Sequence, residues 1–97
     1  KLLETAGAFS IVLECVETKL SKKITKNIKI PTIGIGSSSN CDGQVLVIDD
    51  LIGMSDSKFK FVKKYVDVSR IINSAVIKYK NEVKNKQFPK AKHSFTN

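Results

Sequence analysis

Apolar and polar positions alternate between two periods along the 97-residue chain, and the changes of period mark out its elements. Residues 1–7 read as the end of a helix, stopped at Gly7, a residue type that commonly ends helices. Residues 9–15 form an almost wholly apolar or small run, Phe9-Ser10-Ile11-Val12-Leu13-Glu14-Cys15, which predicts a strand covered on both faces. Leu20, Ile24 and Ile28 then recur every four residues among lysines, predicting an amphipathic helix with one apolar stripe. Pro31 opens a second strand over Thr32–Gly36, where its missing N–H does least harm. After the polar segment 37–43, a third strand is expected over Gln44–Asp49.

The order βαβ-loop-β, with apolar strands, points to a parallel sheet. The second connection is short for a helical crossover, which usually needs at least ~10 residues, so spacing alone also allows an antiparallel hairpin. Two more helices follow. Lys58–Val66 would place Phe59, Val62 and Val66 on one face. From about Ser69, a possible N-cap, Ile72, Ala75, Val76, Tyr79 and Val83 fall at helical spacing. Residues 86–97 read as a polar, exposed tail.

One position breaks the apolar pattern of the first strand. Glu14 lies near its C-terminal end, the end that carries the chemistry in α/β barrels and open α/β sheets. A carboxylate between two covered faces is costly to keep charged, and such a group becomes a usable general base or acid near neutral pH. The bland reading is a structural Glu paired with a cation. On the residues alone the two stand about even.

The other polar candidates favour structural readings. Gly34-Ile35-Gly36-Ser37-Ser38-Ser39 could let a backbone approach an anion. It lacks the third glycine and following helix of a dinucleotide fingerprint, and the Lys-Ser/Thr of a phosphate loop. A plain strand-to-loop turn is the stronger reading. Asp42-Gly43 is a common turn dipeptide, and Asp49 and Asp50, adjacent on a strand, would point to opposite faces. His93 sits alone in the tail. Cys15 and Cys41 lack a CxxC or neighbouring His, and are expected to be reduced and at least partly buried.

Composition bounds the rest. The chain is 41% apolar and 27% charged, sufficient for one small domain segment over residues 1–97. No run is apolar and long enough to span a membrane, and no signal-peptide pattern opens the chain. The pattern opens at Lys1 already in helical character, and the expectation is a piece of something longer. The net charge of +8 comes from sixteen Lys and one Arg, Arg70. Base readout and bidentate phosphate contacts favour Arg, so nucleic acid is a poor fit. A small basic binding module is the reading that this charge leaves open.

Several segments together resemble the ketopantoate hydroxymethyltransferase family. They are Ile11-Val12-Leu13-Glu14-Cys15-Val16, Ile30-Pro31-Thr32-Ile33-Gly34-Ile35-Gly36, Cys41-Asp42-Gly43-Gln44-Val45-Leu46-Val47, Lys60-Phe61-Val62-Lys63, and Phe88-Pro89 through His93-Ser94-Phe95. The similarity covers essentially all 97 residues in order. It implies an α/β fold, the C-terminal part of a (βα)8 TIM barrel: about three parallel strands plus closing helices, without the N-terminal barrel strands. It implies a cytoplasmic homo-oligomer, typically a decamer. The reaction implied transfers a one-carbon unit from 5,10-methylenetetrahydrofolate to 3-methyl-2-oxobutanoate, giving 2-dehydropantoate with Mg²⁺ as cofactor. The family's base carries over to Glu14, which would take a proton from C3 of the keto acid to form a metal-stabilised enolate. The metal carboxylates are expected in the missing strands, so no metal ligand is assigned here.

The sequence also departs from the family pattern. Ser37-Ser38 stands for Ala-Gly, Asp49 for His, and Glu17 and Phe59 each for Pro. Ser38 would be strained wherever the family's glycine uses a positive φ. Such departures fit the alternative of a catalytically inactive remnant or assembly-only fragment.

Overall fold

The computed structural model describes residues 1–95. The part of the expected tail that falls on residues 96–97 lies outside the described residues. Helix α1 spans Leu2–Thr5, strand β1 Ile11–Glu14, helix α2 Thr18–Asn27 and strand β2 Thr32–Ile35. Strand β3 is Gly43–Gln44, helix α3 Ile48–Leu51 and helix α4 Val68–Lys84, with a 3₁₀ turn at Ala91–His93. The sheet order is β1-β2-β3 with both pairings parallel, which settles the question left open by the short second connection. Gly7, at φ +99°, follows α1 as its glycine identity implies.

The register divides the sheet into two faces. Ile11 pairs with Thr32 and Leu13 with Gly34, while Val12 pairs with Ile33 and Glu14 with Ile35. Side chains alternate along each strand, so the first set shares one face and the second set the other. Helix α2 covers the first face. Thr32 is fully buried there and its hydroxyl lies 2.9 Å from that of Thr25. On the second face Val12 is 59% exposed. The expectation of a strand covered on both faces is therefore corrected: among the described residues one face is packed and the other open.

The contact between α2 and the sheet is polar. Ser21 is fully buried, and its hydroxyl donates to the carbonyls of Val16 and Glu17. Leu20, expected on the buried stripe, is half exposed, while Ile24 and Ile28 are half-buried. Small hydroxyl side chains at positions 21 and 25 let helix and strand approach closely. A full Leu stripe there would hold them further apart.

Asp42 completes this contact. Its carboxylate accepts from the Thr32 backbone N–H (2.8 Å) and hydroxyl (3.1 Å), and its own N–H donates to the Thr32 hydroxyl oxygen (3.2 Å). The structural reading of Asp42 stands.

Three expected elements change. Strand β3 stops at Gln44, with one further ladder bond from Val45 N–H to Gly34 carbonyl, and Ile48 and Asp49 instead enter α3. Asp49 and Asp50 fall in the first turn of that helix, where carboxylates favour the helical backbone electrostatically. The helix expected over 58–66 does not form. Phe59 and Phe61, two residues apart, stack with ring centroids 5.5 Å apart, whereas residues two apart do not face each other on a helix. The segment is tied to α3 instead: Tyr65 N–H donates to Leu51 carbonyl and Val68 N–H to Ile52 carbonyl. Finally, α4 starts before Ser69, because Asp67 is its cap and accepts from Arg70 N–H.

No residue of α4 is buried among the described residues, and its apolar positions Ile72, Val76, Tyr79 and Val83 all stay exposed. The molecule is accordingly elongated, 71 × 30 × 15 Å. Part of the tail is also ordered onto α4. Phe88 meets Tyr79 edge-on at 5.6 Å and His93 at 5.1 Å. His93 stays exposed, as a lone tail histidine should, with one side of its ring against Phe88.

Glu17 caps α2, and backbone hydrogen bonds from Lys19 and Leu20 hold its carboxylate below the ordinary value of 4.5. A lowered folded value means that the charged cap stabilises the fold above pH 4.5 and that this contribution is lost as pH falls below it. Glu17→Gln should therefore be less stable than the parent near pH 7, with the difference shrinking on acidification. Paired chemical denaturation at pH 7 and pH 3 checks this, and an equal difference at both values would remove the carboxylate's role.

Candidate functional site

The C-terminal ends of β1 and β2 are bound together by one side chain. Ser37, just beyond β2, donates its hydroxyl to the Leu13 carbonyl (2.6 Å) and accepts from the Val16 N–H (3.1 Å). It therefore braces the backbone on both sides of Glu14. Sequence reasoning weighed this serine only as a loop or anion ligand. Its long-range role has no local signal, because both partners lie more than twenty residues away.

Glu14 ends β1 on the open face, beside Ile35 across the register. It is exposed, so the expectation of a carboxylate shut between two covered faces is corrected. The cause is that α2 covers only the opposite face, to which Leu13 points. What remains of the expectation is positional: a carboxylate at the strand end, on the face that carries no helix.

Cys15 follows with φ 53° and is exposed, whereas Cys41 is buried. The expectation that both are at least partly buried thus holds only for Cys41. The left-handed turn at Cys15 ends β1 and places its side chain at the rim of a hollow, not in the core. Both thiols are free, as expected.

That hollow, about 710 Å³, opens beyond the strand ends between the start of α2, the Gly36–Ser39 turn and the 60–61 segment. Gly36 has φ +63°, and a Cβ there would lie 2.8–2.9 Å from Phe61 side-chain carbons. Only glycine allows both the turn and the seating of Phe61 against it. A second hollow of about 380 Å³ shares Gly36, Gln44 and Phe61 and extends toward Lys63 and Tyr65. Lys60 and Phe61 were missed as site residues because the reading put this stretch on a helix. The alternation Lys58-Phe59-Lys60-Phe61 was the available signal, since period two is incompatible with one helical face.

Ser38 is buried and accepts from the backbone and side-chain nitrogens of Asn40. Its φ is outside the left-handed region, so the strain anticipated for a serine at this position does not arise. Two other departures from the family pattern also have local structural roles: Glu17 caps α2 and Phe59 stacks on Phe61. Asp49 is exposed in α3, and nothing in the structure explains its replacement of His.

Among the described residues, no three His, Cys, Asp or Glu side chains converge as a metal-binding group. Nor is any described helix long and apolar enough to cross a membrane.

A mixed α/β chain with three parallel strands and a helix on one sheet face defines a βα-type protein, and its strand-end carboxylate lies on the other face. This chain belongs to the ketopantoate hydroxymethyltransferase family, whose profile matches residues 1–91. It is 59% identical over 95 residues to a 3-methyl-2-oxobutanoate hydroxymethyltransferase of Pelagibacter ubique, covering 98% of this chain and 37% of that protein. The protein of the same name from Carboxydothermus hydrogenoformans is 59% identical over 97 residues, covering 99% of this chain and 35% of the relative. That of Enterococcus faecalis is 55% identical over 96 residues, covering 98% and 35%. The chain thus spans about a third of the length of these relatives.

Proposed function

We propose that this chain supplies the C-terminal strands and the general base of a (βα)8-barrel 3-methyl-2-oxobutanoate hydroxymethyltransferase. The observation that carries the reading is Glu14 at the end of a parallel strand, on the sheet face that bears no helix. In a barrel the helices lie outside and that face points inward, toward the mouth where such enzymes hold their substrates. The names and 51–59% identity of the relatives support the same activity.

In this reading Glu14 takes the C3 proton of 3-methyl-2-oxobutanoate. The C3–H electron pair becomes the enolate, which attacks the methylene carbon of 5,10-methylenetetrahydrofolate. As the new C–C bond forms, that carbon's bonds to the two folate nitrogens are broken and water supplies the product's hydroxyl. The C3 proton and the second proton of water end on those nitrogens as tetrahydrofolate leaves. Ser37 holds the backbone around Glu14 so that the carboxylate keeps its aim. Mg²⁺ does not fit onto the residues described here, which offer no convergent ligand group, and no step is drawn through it. Its ligands are assigned to barrel strands outside this chain. The open face and the exposed Val12 fit packing in the interior of such a barrel, and the outer edges of β1 and β3 fit pairing with those strands, in a cytoplasmic homo-oligomer of the size typical of the family.

Co-expression with the N-terminal two-thirds of the Pelagibacter ubique relative tests the reading. Activity only when both parts are present supports it. An assembled but inactive pair would favour the remnant reading.

A further inference from the structure

Cys15, between Glu14 and Val16, holds φ at +53°. A residue with a Cβ adopts that left-handed backbone at a cost, so it persists only where neighbouring bonds impose it. The thiol is exposed, so packing of its own side chain does not impose it. The bonds around it do. The Cys15 N–H donates to the Ile35 carbonyl at 2.9 Å. On either side of the Glu14–Cys15 pair, the Leu13 carbonyl accepts from the Ser37 hydroxyl and the Val16 N–H donates to it. In a β-turn the carbonyl of the first residue and the N–H of the fourth bond each other directly. Over residues 13–16 a single hydroxyl stands between those two groups.

Gly36 brings the hydroxyl there. Its φ of +63° turns the chain out of β2 one residue after Ile35, the register partner of Glu14. The backbone ladder stops, and the Ser37 side chain is the group that meets β1. The Val16 carbonyl is anchored in turn, accepting from the hydroxyl of the fully buried Ser21. The family pattern carries Ala at position 37, so the clasp is not part of that pattern.

We propose that Ser37 is a positioning residue that acts through Cys15: its hydroxyl, inserted into the 13–16 segment, imposes the left-handed turn that sets the direction of the Glu14 carboxylate. Resting on the proposed function, it governs the rate of proton removal and not the binding of the keto acid, because at this turn it bonds backbone only.

The turn is tested without turnover, by NMR on the isotope-labelled full chain. Ser37→Ala should speed amide hydrogen exchange at Val16 roughly fivefold, the worth of one neutral hydrogen bond. The Cys15 carbon shifts should move off their left-handed values, and the Glu14 side-chain shifts with them. The Ile11 N–H, bonded to the Pro31 carbonyl at the other end of β1, should not change. Ser37→Thr, which keeps the hydroxyl, should restore the parent values. An unchanged Val16 rate, or a Cys15 that stays left-handed in Ser37→Ala, would overturn the proposal. In the protein assembled with the N-terminal part of the relative, Ser37→Ala should lower kcat and C3 hydrogen exchange roughly fivefold, with KM moving less than about twofold. Thr32→Val, which removes a hydroxyl on the opposite sheet face, is the control and should leave kcat unchanged below its unfolding temperature. An equal fall in kcat for Thr32→Val would reduce Ser37 to a structural residue. An assembled parent that exchanges no C3 hydrogen would sink the proposed base, and the NMR comparison would still decide the turn.

Discussion

Glu14→Gln should abolish one-carbon transfer by the assembled protein, lowering kcat by about 10²–10⁴-fold, the range ordinarily contributed by a positioned general base. Glutamine keeps the shape and polarity of the side chain but cannot accept the C3 proton. The exchanged residue is exposed, and β1 is held by backbone pairing to β2 that the substitution leaves untouched. The fold should therefore survive, and circular dichroism and the denaturation midpoint should match the parent. A second readout isolates the step. The assembled parent should exchange the C3 hydrogen of 3-methyl-2-oxobutanoate for deuterium in D₂O without the folate donor, and Glu14→Gln should not. Retained exchange in the variant would assign the base to another residue, whatever happened to overall turnover.

The largest effect on stability is expected at Thr32, not at an apolar position. Thr32→Val keeps the volume and the strand preference but removes a fully buried hydroxyl that contacts Thr25 Oγ1, Asp42 Oδ2 and the Asp42 N–H. Losing these contacts while burying their partners should cost about 2–3 kcal/mol. The denaturant midpoint should fall with the slope unchanged. Thr32→Ser, which restores the hydroxyl, should recover most of the difference. A Thr32→Val protein within about 0.5 kcal/mol of the parent would mean that the polar seam does not hold α2 to the sheet, since contacts of this kind are each worth about 1 kcal/mol.

These two sites were legible in the sequence to different degrees. Glu14 stood out because a carboxylate interrupts an apolar run, and its place at the end of a strand followed from counting residues. Its exposure did not, because burial depends on which face α2 covers, and the alternating register assigns Leu13 to that face and Glu14 to the other. Thr32 and Asp42 carried no signal of partnership. They meet only because β2 and the following turn bring residues ten apart within 3 Å, and a side-chain bond of that kind leaves no period in the sequence. The segment 58–66 failed for a related reason. Its apolar spacing matches a helix, but backbone hydrogen bonds to α3 and the Phe59–Phe61 stack outweigh a weak local preference.

The sequence by itself determined the elements whose signals are local: β1, α2, β2 and α4, the helix stop at Gly7, and the carboxylate placed at a strand end. Their periods and end residues are set by backbone geometry within a few neighbours. The family was legible there too, because it rests on motifs in order along the chain. Only the tertiary structure decided the parallel direction of β3, the polar seam beneath α2, the brace from Ser37 to both sides of Glu14, and the hollow between Lys60 and Gly36. Each of these joins segments far apart in the chain, where the contact geometry, not the residue type, selects the partner.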